Sequence, residues 1–524
     1  MKILLIYPPM TVFGEDVTVP QVRPPLGLLY IAAVCERAGH TVEVLDCMAQ
    51  NTCRAEAVSD GGKRFGLNPS ELQRELETRK PDIIGISNMF TAFSRDAHEA
   101  ASACKRWSPD VKVIMGGIHA STLPDNVLED ANIDYIVLGE GEQTILELLE
   151  ALKSGVDPGQ VAGLVFKGKD GVLTRTKPRE RILDLDALPM PARHLVDLKL
   201  YSAVAENEAD NYIMRHPYTT VYTSRGCPKR CVYCAAHNVW HNRWVARSSA
   251  NVLDEVEYLV KEHGIREIHF LDDNISVDRK RFAEICQGIL DRKLNIRWAC
   301  PTGLAIWTLD AEVLALMKKA GCYKVCFGME SGHPDTQQFI RKGLDLEKAD
   351  DAIKIASSLG FWIQSTFIIG FPYETREQIQ TTIRYAIGTY SDFVNFLLLT
   401  PYPGTDVYEI MRKEELIPVT LWNYKNFGVT MSGFRTLCRS RDCTAEELSL
   451  YFDDAFKQLL RSRIARTLVD PLILLRKLRD LESLLFFMRM LKNFFGVAWV
   501  IFYMGVTKAG TLKPGYGAAF TKKD

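Results

Sequence analysis

Three cysteines stand close together in the run Ser224-Arg225-Gly226-Cys227-Pro228-Lys229-Arg230-Cys231-Val232-Tyr233-Cys234. The C-x3-C-x2-C spacing lets a single loop curl three thiolates round one point. Thiolates are the usual ligands of iron–sulfur clusters, which normally take four. Three ligands with no obvious fourth leave one iron open to a substrate or cofactor. A structural zinc site needs a fourth Cys or His at short range, and His237 and His241 keep that reading open. Plain buried thiols fit poorly, because Arg225, Lys229 and Arg230 make the loop polar.

The loop, with aromatic Tyr233 just before Cys234, resembles the cluster-binding loop of the radical S-adenosylmethionine (SAM) enzymes. Much of the remaining chain resembles one subgroup, the cobalamin (B12)-binding radical SAM enzymes. The resemblance implies a 4Fe-4S cluster on Cys227, Cys231 and Cys234, with Tyr233 beside the adenine of SAM. It implies that Asp272 or Asp273, together with Glu330, holds the methionine or ribose portion. For Asp272 and Asp273 a helix cap or turn is an equal reading.

If SAM chelates the open iron, one electron from the cluster breaks the sulfonium C–S bond. The 5′-deoxyadenosyl radical so formed takes hydrogen from an unactivated carbon. In the subgroup methylcobalamin then delivers a methyl, so the leading expectation is a C-methyltransferase. A rival keeps both cofactors and closes a ring or rearranges its substrate, as the oxidative cyclases of tetrapyrrole synthesis do. A non-catalytic cobalamin or iron–sulfur sensor is the alternative of another class, although nothing resembles an output domain. A methylthiotransferase needs a further cysteine triplet, which Cys35, Cys47, Cys53 and Cys104 do not supply. A low-potential donor such as flavodoxin or ferredoxin is implied as partner.

Elements must position that loop. Residues 219–223 read as the strand that feeds it, and five further strands follow at 267–271, 296–300, 324–327, 362–369 and 392–398. Helical periods between them, at 279–292, 311–320, 346–359 and 376–388, complete the pattern of a partial (β/α)6 barrel. In barrels of this sort chemistry gathers at the carboxyl ends of the strands. Asp272-Asp273-Asn274, Gly328-Met329-Glu330-Ser331-Gly332 and Gly370-Phe371-Pro372-Tyr373-Glu374-Thr375 fall at such ends.

Residues 1–150 also alternate, with strands at 2–7, 41–45, 82–87, 112–116 and 135–138 and helices at 26–38, 92–106 and 142–152. That order predicts a doubly wound, Rossmann-like parallel sheet, with ligands beyond the carboxyl ends of its strands. The loops Gly116-Gly117-Ile118-His119-Ala120-Ser121 and Gly139-Glu140-Gly141-Glu142-Gln143-Thr144 fall there. By resemblance they cradle cobalamin, which assigns Gly116, Gly117, His119, Ser121, Gly139, Glu140, Gly141 and Thr144 to cofactor binding. A hydrogen-bonding role for His119 is at least as good a reading as cobalt ligation. The Asp-x-His-x-x-Gly run of many cobalamin domains is replaced by Asp46-Cys47-Met48-Ala49-Gln50-Asn51, without a His. The expectation is cobalamin with its own base displaced and its lower face covered by Ser87-Asn88-Met89-Phe90.

A linker at 151–195 contains a β-hairpin round Lys169-Asp170-Gly171 and an extended, proline-held connector ending at Arg193. The catalytic domain is expected over 196–405 and a helical region over 406–524. In that region 445–460 reads as an amphipathic helix, 472–490 is rich in Leu and Phe, and 493–506 is uncharged and aromatic. Fourteen uncharged residues are too few to span a bilayer, which needs ~20. Contact with a membrane surface and a cap over the active site are equal readings of the tail, and both point to a hydrophobic substrate.

At 524 residues two or three domains are expected. A net charge of −1 gives no case for nucleic acid, but from Lys457 to Asp524 there are 13 Lys/Arg and 4 Asp/Glu, or +9 against −10 elsewhere. Such a basic tail suits an anionic partner. The 13 cysteines form no secreted framework and the chain opens on a buried strand, so a reducing cytoplasm is expected. Cys322 and Cys326 read as core thiols, and Cys438 and Cys443 as a loop pair.

Overall fold

Ile3, Leu4, Leu5 and Ile6 form an unbroken apolar run, as a strand buried on both faces requires. The computed structural model describes residues 1–13, 21–50, 55–59, 61–168, 171–206, 213–418 and 436–491. In it Lys2–Tyr7 lies between Thr41–Asp46 and Ile83–Ser87, both parallel to it. Lys112–Gly116 and Tyr135–Val137 continue the parallel sheet beyond Ile83–Ser87. In sequence terms the parallel order is 2-1-3-4-5, so the chain reverses its winding between Lys2–Tyr7 and Ile83–Ser87. Ile3 and Leu5 pack under Leu26–Arg37 and Glu142–Ser154, whereas Leu4 and Ile6 pack under Pro69–Arg79 and Ser94–Trp107. The sheet is thus doubly wound.

Two features depart from expectation. Leu164–Lys167 pairs antiparallel with Tyr135–Val137, and Leu173–Arg175 pairs in turn with Leu164–Lys167. The hairpin assigned to the linker therefore forms the edge of the first sheet. The connector is likewise stapled at its end. Arg193 is buried, donates to Thr220 O at 2.8 Å and pairs with Glu255 at 2.7 Å. A small antiparallel sheet of Met10–Phe13, Gly62–Phe65 and Ala55–Ala57 has no counterpart in the sequence reading. Nor has helix Pro69–Arg79.

The second sheet runs in chain order: Tyr218–Val221, Glu267–Phe270, Arg297–Cys300, Cys322–Glu330, Trp362–Ile369 and Phe393–Leu398, all parallel. Among the described residues its first and last strands do not pair, so the barrel is open. Helices cover its outer face, and each begins behind a side chain that accepts from its first turn. Ser248, Asp278, Asp310, Asp345 and Thr375 cap them, at about 1 kcal/mol each.

Helix Ala445–Val469 starts from a capping box of Thr444 and Glu447 and packs Leu448, Phe452 and Ala455 onto the barrel. It begins beside Gly370, where a Cβ would lie 3.1 Å from Leu448, and Arg466 near its end donates to Gly388 O at 3.2 Å. It therefore runs from the carboxyl end of the strands to their amino end. There residues 481–491 form a further helix. Its Phe486 meets Tyr323 at 5.6 Å and Trp362 at 5.8 Å, near the starts of two strands. Lys477 is buried against Asp392. This segment closes the floor of the barrel, which corrects the expectation that 472–490 caps the active site. The stretch 493–506 lies outside the described residues. No described helix is long and apolar enough to cross a membrane.

Candidate functional site

Tyr218–Val221 delivers the chain to the cysteine loop, and the next strand's carboxyl end shapes it. Asp272, 1% exposed, accepts from the Thr223 amide at 3.0 Å and from the hydroxyls of Thr223 at 2.7 Å and Ser224 at 2.5 Å. Three of these bonds fall on one carboxylate oxygen, so Asp272 shapes the loop, as the cap-or-turn reading expects. Asp273 accepts from the Gly226 amide at 3.0 Å and is exposed, so a ligand can reach it. Gly226 has φ +84°, and a Cβ there would stand 2.2 Å from Arg243 O, so only glycine fits. Further on, Val232 donates its amide to Ile340 O at 3.1 Å and accepts from the Val407 amide at 3.0 Å.

Cys231 is buried; Cys227 and Cys234 are half-buried. Burial pushes the Cys231 thiol up to about 11, and the Lys342 ammonium pulls against it. Lys342, absent from the sequence reading, donates to Glu330 at 2.6 Å and to Gly328 O at 2.6 Å. Glu330 has φ +64° at a register shift in its strand, an uncommon conformation of the sort that clusters at functional sites. Burial raises the Tyr233 hydroxyl well above its usual value, and the nearby Glu330 carboxylate raises it further. The Tyr233 ring stands 6.1 Å from that of Phe371. Tyr233 and Glu330 thus meet at one end of the barrel, next to Cys231. Asn274 Nδ2 lies 4.0 Å from Cys227 Sγ.

Among the described residues no three His, Cys, Asp or Glu side chains converge on the position of a single ion. The donor set is three sulfurs on one clamped loop, which suits the cluster. His241, one of the two candidate zinc ligands, is exposed.

Glu374 turns back within its loop to accept from the amides of Gly370 at 2.8 Å and Phe371 at 3.2 Å. Burial raises its carboxyl to about 7. A carboxyl raised by folding stabilises fully below its unfolded pKa, and the contribution declines as pH rises through the folded value. The stability of Glu374→Gln relative to the parent should therefore rise between pH 4 and pH 7, by at most about 1.4 kcal/mol per pH unit. Thermal midpoints of both proteins across that range check this.

In the first sheet, residues 7–10 and 87–90 line a cleft with Phe93, beyond the carboxyl ends of Lys2–Tyr7 and Ile83–Ser87. This is the place where the winding reverses, and where such sheets take ligands. Phe90 is 50% exposed. Gly117 has φ +116°, and a Cβ there would be 2.5 Å from Asn88 O. Gly139 has φ +65° with open space where a Cβ would be. Ser121 accepts from the Gly139 amide at 3.0 Å, tying the two glycine loops together. Gly116 O accepts from the Asn88 amide at 2.6 Å, and a Cβ on Gly141 would touch Ile31 at 3.0 Å.

Three expected cofactor residues have partners within the protein. His119 is buried, its Nδ1 is 2.9 Å from Thr91 Oγ1, and burial lowers its pKa to about 4. Thr144 donates to Ala162 O at 3.2 Å and accepts from Arg179 at 2.6 Å. Glu140 faces the cysteine loop. Its carboxylate accepts from Arg225 at 2.7 Å and from the Ile182 amide at 3.0 Å. At the start of the replaced motif, Asp46 is buried and accepts from the Met48 and Ala49 amides and from Tyr201 at 2.7 Å. Asn51 lies outside the described residues.

The Arg225 contact joins the two halves of the site. Glu142 accepts from the other arm of its guanidinium at 2.5 Å, and the Tyr30 ring lies 5.4 Å away. Arg181 stands 3.5 Å from Glu140 and donates to Arg243 O at 2.9 Å. Asn238, just past the cysteines, donates to Thr122 at 3.1 Å and Pro403 O at 3.0 Å. Two arginines and two glutamates thus lock the glycine loop of the first sheet onto the loop that carries the cysteines. Fixed i, i+2 glutamates gave no sequence signal for this, because their partners lie far along the chain.

Comparison with known proteins follows the same division. Residues 16–149 match the family model described as the B12 binding domain, and residues 221–386 that of the radical SAM superfamily. An uncharacterised methyltransferase of Pyrococcus horikoshii is 34% identical over 423 residues, covering 80% of this chain and 85% of that protein. The cytidylyl-2-hydroxyethylphosphonate methyltransferase of Streptomyces wedmorensis is 32% identical over 436 residues, covering 78% of this chain and 80% of that protein. The structure of the radical SAM methyltransferase TsrM from Kitasatospora setae, with cobalamin and a 4Fe-4S cluster bound, has a TM-score of 0.63 at 21% identity. It covers 79% of this chain and 78% of that one, a likeness of fold.

Proposed function

Because the chain belongs to the cobalamin-binding radical SAM enzymes, we propose that it methylates an unactivated carbon of a small-molecule substrate. The observation that carries this is the Arg225 bridge, at 2.7 and 2.5 Å, which holds the two cofactor loops face to face. When bound, the cluster supplies the electron that opens SAM, and cobalamin supplies the methyl. Cys227, Cys231 and Cys234 hold the cluster on a loop whose shape Asp272 and Gly226 fix. Glu330 and the exposed Asp273 meet the amine and ribose hydroxyls of SAM, and Tyr233 lies along its adenine. Lys342 balances the charge of Glu330. The amides of the Gly116–Gly117 and Gly139–Gly141 loops approach cobalamin, and Ser121 keeps the loops in register. Residues 87–90 would line the cobalamin cleft.

Lys229 and Arg230 edge the cysteine loop, and a low-potential donor such as flavodoxin or ferredoxin meets the chain there. The tail makes peripheral contact with a membrane, in a reducing cytoplasm. Since the described residues 472–491 lie at the barrel floor, that segment lends no support to a hydrophobic substrate.

The test is anaerobic incubation with a low-potential reductant, metabolite extract and SAM labelled in its methyl group. A product that gains the labelled methyl supports the proposal. Release of 5′-deoxyadenosine with an unlabelled, ring-closed or rearranged product would replace it with the cyclase reading. No SAM consumption at all favours a sensor.

A further inference from the structure

Helix 481–491 is apolar on two opposite faces. Phe486 and Phe487 pack on the barrel floor, while Leu481, Leu484, Leu485 and Met488 are 69, 42, 54 and 55% exposed. Their i, i+3, i+4, i+7 spacing makes one continuous stripe. Helix Ala445–Val469 adds a second stripe near its end, where Leu460, Ile464 and Leu468 are 42, 53 and 78% exposed at i, i+4 spacing. Leu472 and Leu475, between the helices, are exposed as well. A helix with apolar residues all round is ordinarily covered on every side, and exposed patches of this extent mark interaction sites.

Charge identifies the partner. Lys457, Arg461, Arg476 and Arg479 are exposed and enter no ion pair with another described residue. The two acids of 471–491 are turned to the barrel instead: Asp480 to Arg297 at 2.6 Å and Glu482 to Arg215 at 2.7 Å. Over 455–491 the remaining acid, Asp470, stands against the exposed Lys457, Arg461, Arg476 and Arg479, so the patch is leucine with an excess of basic charge. A second copy docked about a two-fold axis would set this cationic surface against itself. An anionic lipid surface accepts both its leucines and its arginines. In sequence, the uncharged run 493–506 with Trp499 and Tyr503, followed by Lys508 and Lys513, has interfacial composition.

We propose that this floor-side face, built on Leu481, Leu484, Leu485 and Met488 with Arg476 and Arg479, seats the protein on an anionic bilayer. The inference rests on the membrane contact proposed above and gives it residues, a lipid charge and a direction. The cofactor end of the barrel then points away from the bilayer, and substrate reaches it from the aqueous side.

Co-sedimentation of the full-length, cluster-loaded protein with phosphatidylcholine vesicles, and with vesicles also containing phosphatidylglycerol, tests this. The parent should pellet about tenfold better with the anionic vesicles. Leu484→Glu/Leu485→Glu and Arg476→Glu/Arg479→Glu should each lose that binding by about tenfold or more, with iron content unchanged. If the leucine pair fails to hold iron, the arginine pair, wholly on exposed positions, decides. Should the parent pellet with neither vesicle, the membrane contact itself is wrong, and methyl transfer stands untouched. Should the parent pellet and both variants pellet equally, contact runs through other residues and this face is wrongly assigned. A solution dimer broken by the leucine pair would overturn the lipid assignment in favour of a second copy.

Discussion

Replacing Cys231 with alanine removes bound iron and SAM turnover together. The loop offers three thiolates and is clamped at Gly226 and Val232, so its backbone cannot shift to close the gap. Losing an outer-shell partner already costs metal sites about ten- to a hundredfold. Losing one of three thiolates should exceed that, with iron retention down by at least about a hundredfold. The fold should survive, because Val232 on the same loop keeps its backbone bonds on both sides. Cys326→Ala is the contrast. That thiol is buried at the barrel interior beside Glu330 and Lys342, but it lies off the clamped loop, and its removal should leave iron content unchanged while lowering stability by about 1 kcal/mol. Iron and sulfide analysis after anaerobic reconstitution, beside a thermal melt, reads both.

The largest effect on stability is expected at Glu255, outside the cysteine loop. Its carboxylate is 1% exposed between Arg193, 2.7 Å away, and Arg247, whose guanidinium it also binds. Glu255→Ala leaves two buried guanidinium groups facing each other, a change of about 3–5 kcal/mol. It also frees the connector, since Arg193 is the residue that pins it beneath Tyr218–Val221 through Thr219 and Thr220. The arginines hold the Glu255 carboxyl below the usual range against the opposing effect of burial. A depressed carboxyl stabilises above its unfolded pKa, near 4.3, and the contribution is lost as pH falls through the folded value. The gap between parent and Glu255→Ala should therefore narrow in acid below about pH 4. Urea midpoints at pH 7 and at about pH 3 measure it. Asp254→Ala, which breaks an exposed pair with Arg292, should change stability by less than about 1 kcal/mol.

Much of this architecture is written in local pattern. Apolar runs such as residues 3–6 and 83–86 gave the strands, and the helices between them announced themselves by period. Pro69–Arg79 was equally legible, since Asn68, Pro69 and Glu71 spell a capping box with proline at its first position. Its mean polarity hid the apolar pair Leu72 and Leu76. The short strands round Gly62–Phe65 are three or four residues each, too brief for a period to show.

Side-chain direction was not legible. Asp272 and Asp273 are neighbours in sequence, yet alternation along the chain sends one into the loop's hydrogen bonds and the other to solvent. Glu140 has the composition of a ligand-binding loop and the geometry of an ion pair, because its partner Arg225 lies 85 residues on. Lys342 has no motif round it and reaches Glu330 only through the fold. The tail misled for a different reason. Residues 481–491 are apolar on both faces, so periodicity alone does not say which face meets the barrel, nor at which end.

The account turns on an iron that the protein leaves one ligand short. Electron paramagnetic resonance of the reduced, reconstituted protein before and after addition of SAM tests it most directly. The expected result is a 4Fe-4S signal whose g-values shift when SAM takes the open iron. A protein that holds zinc in place of iron, or a cluster whose signal SAM leaves unchanged, would contradict it.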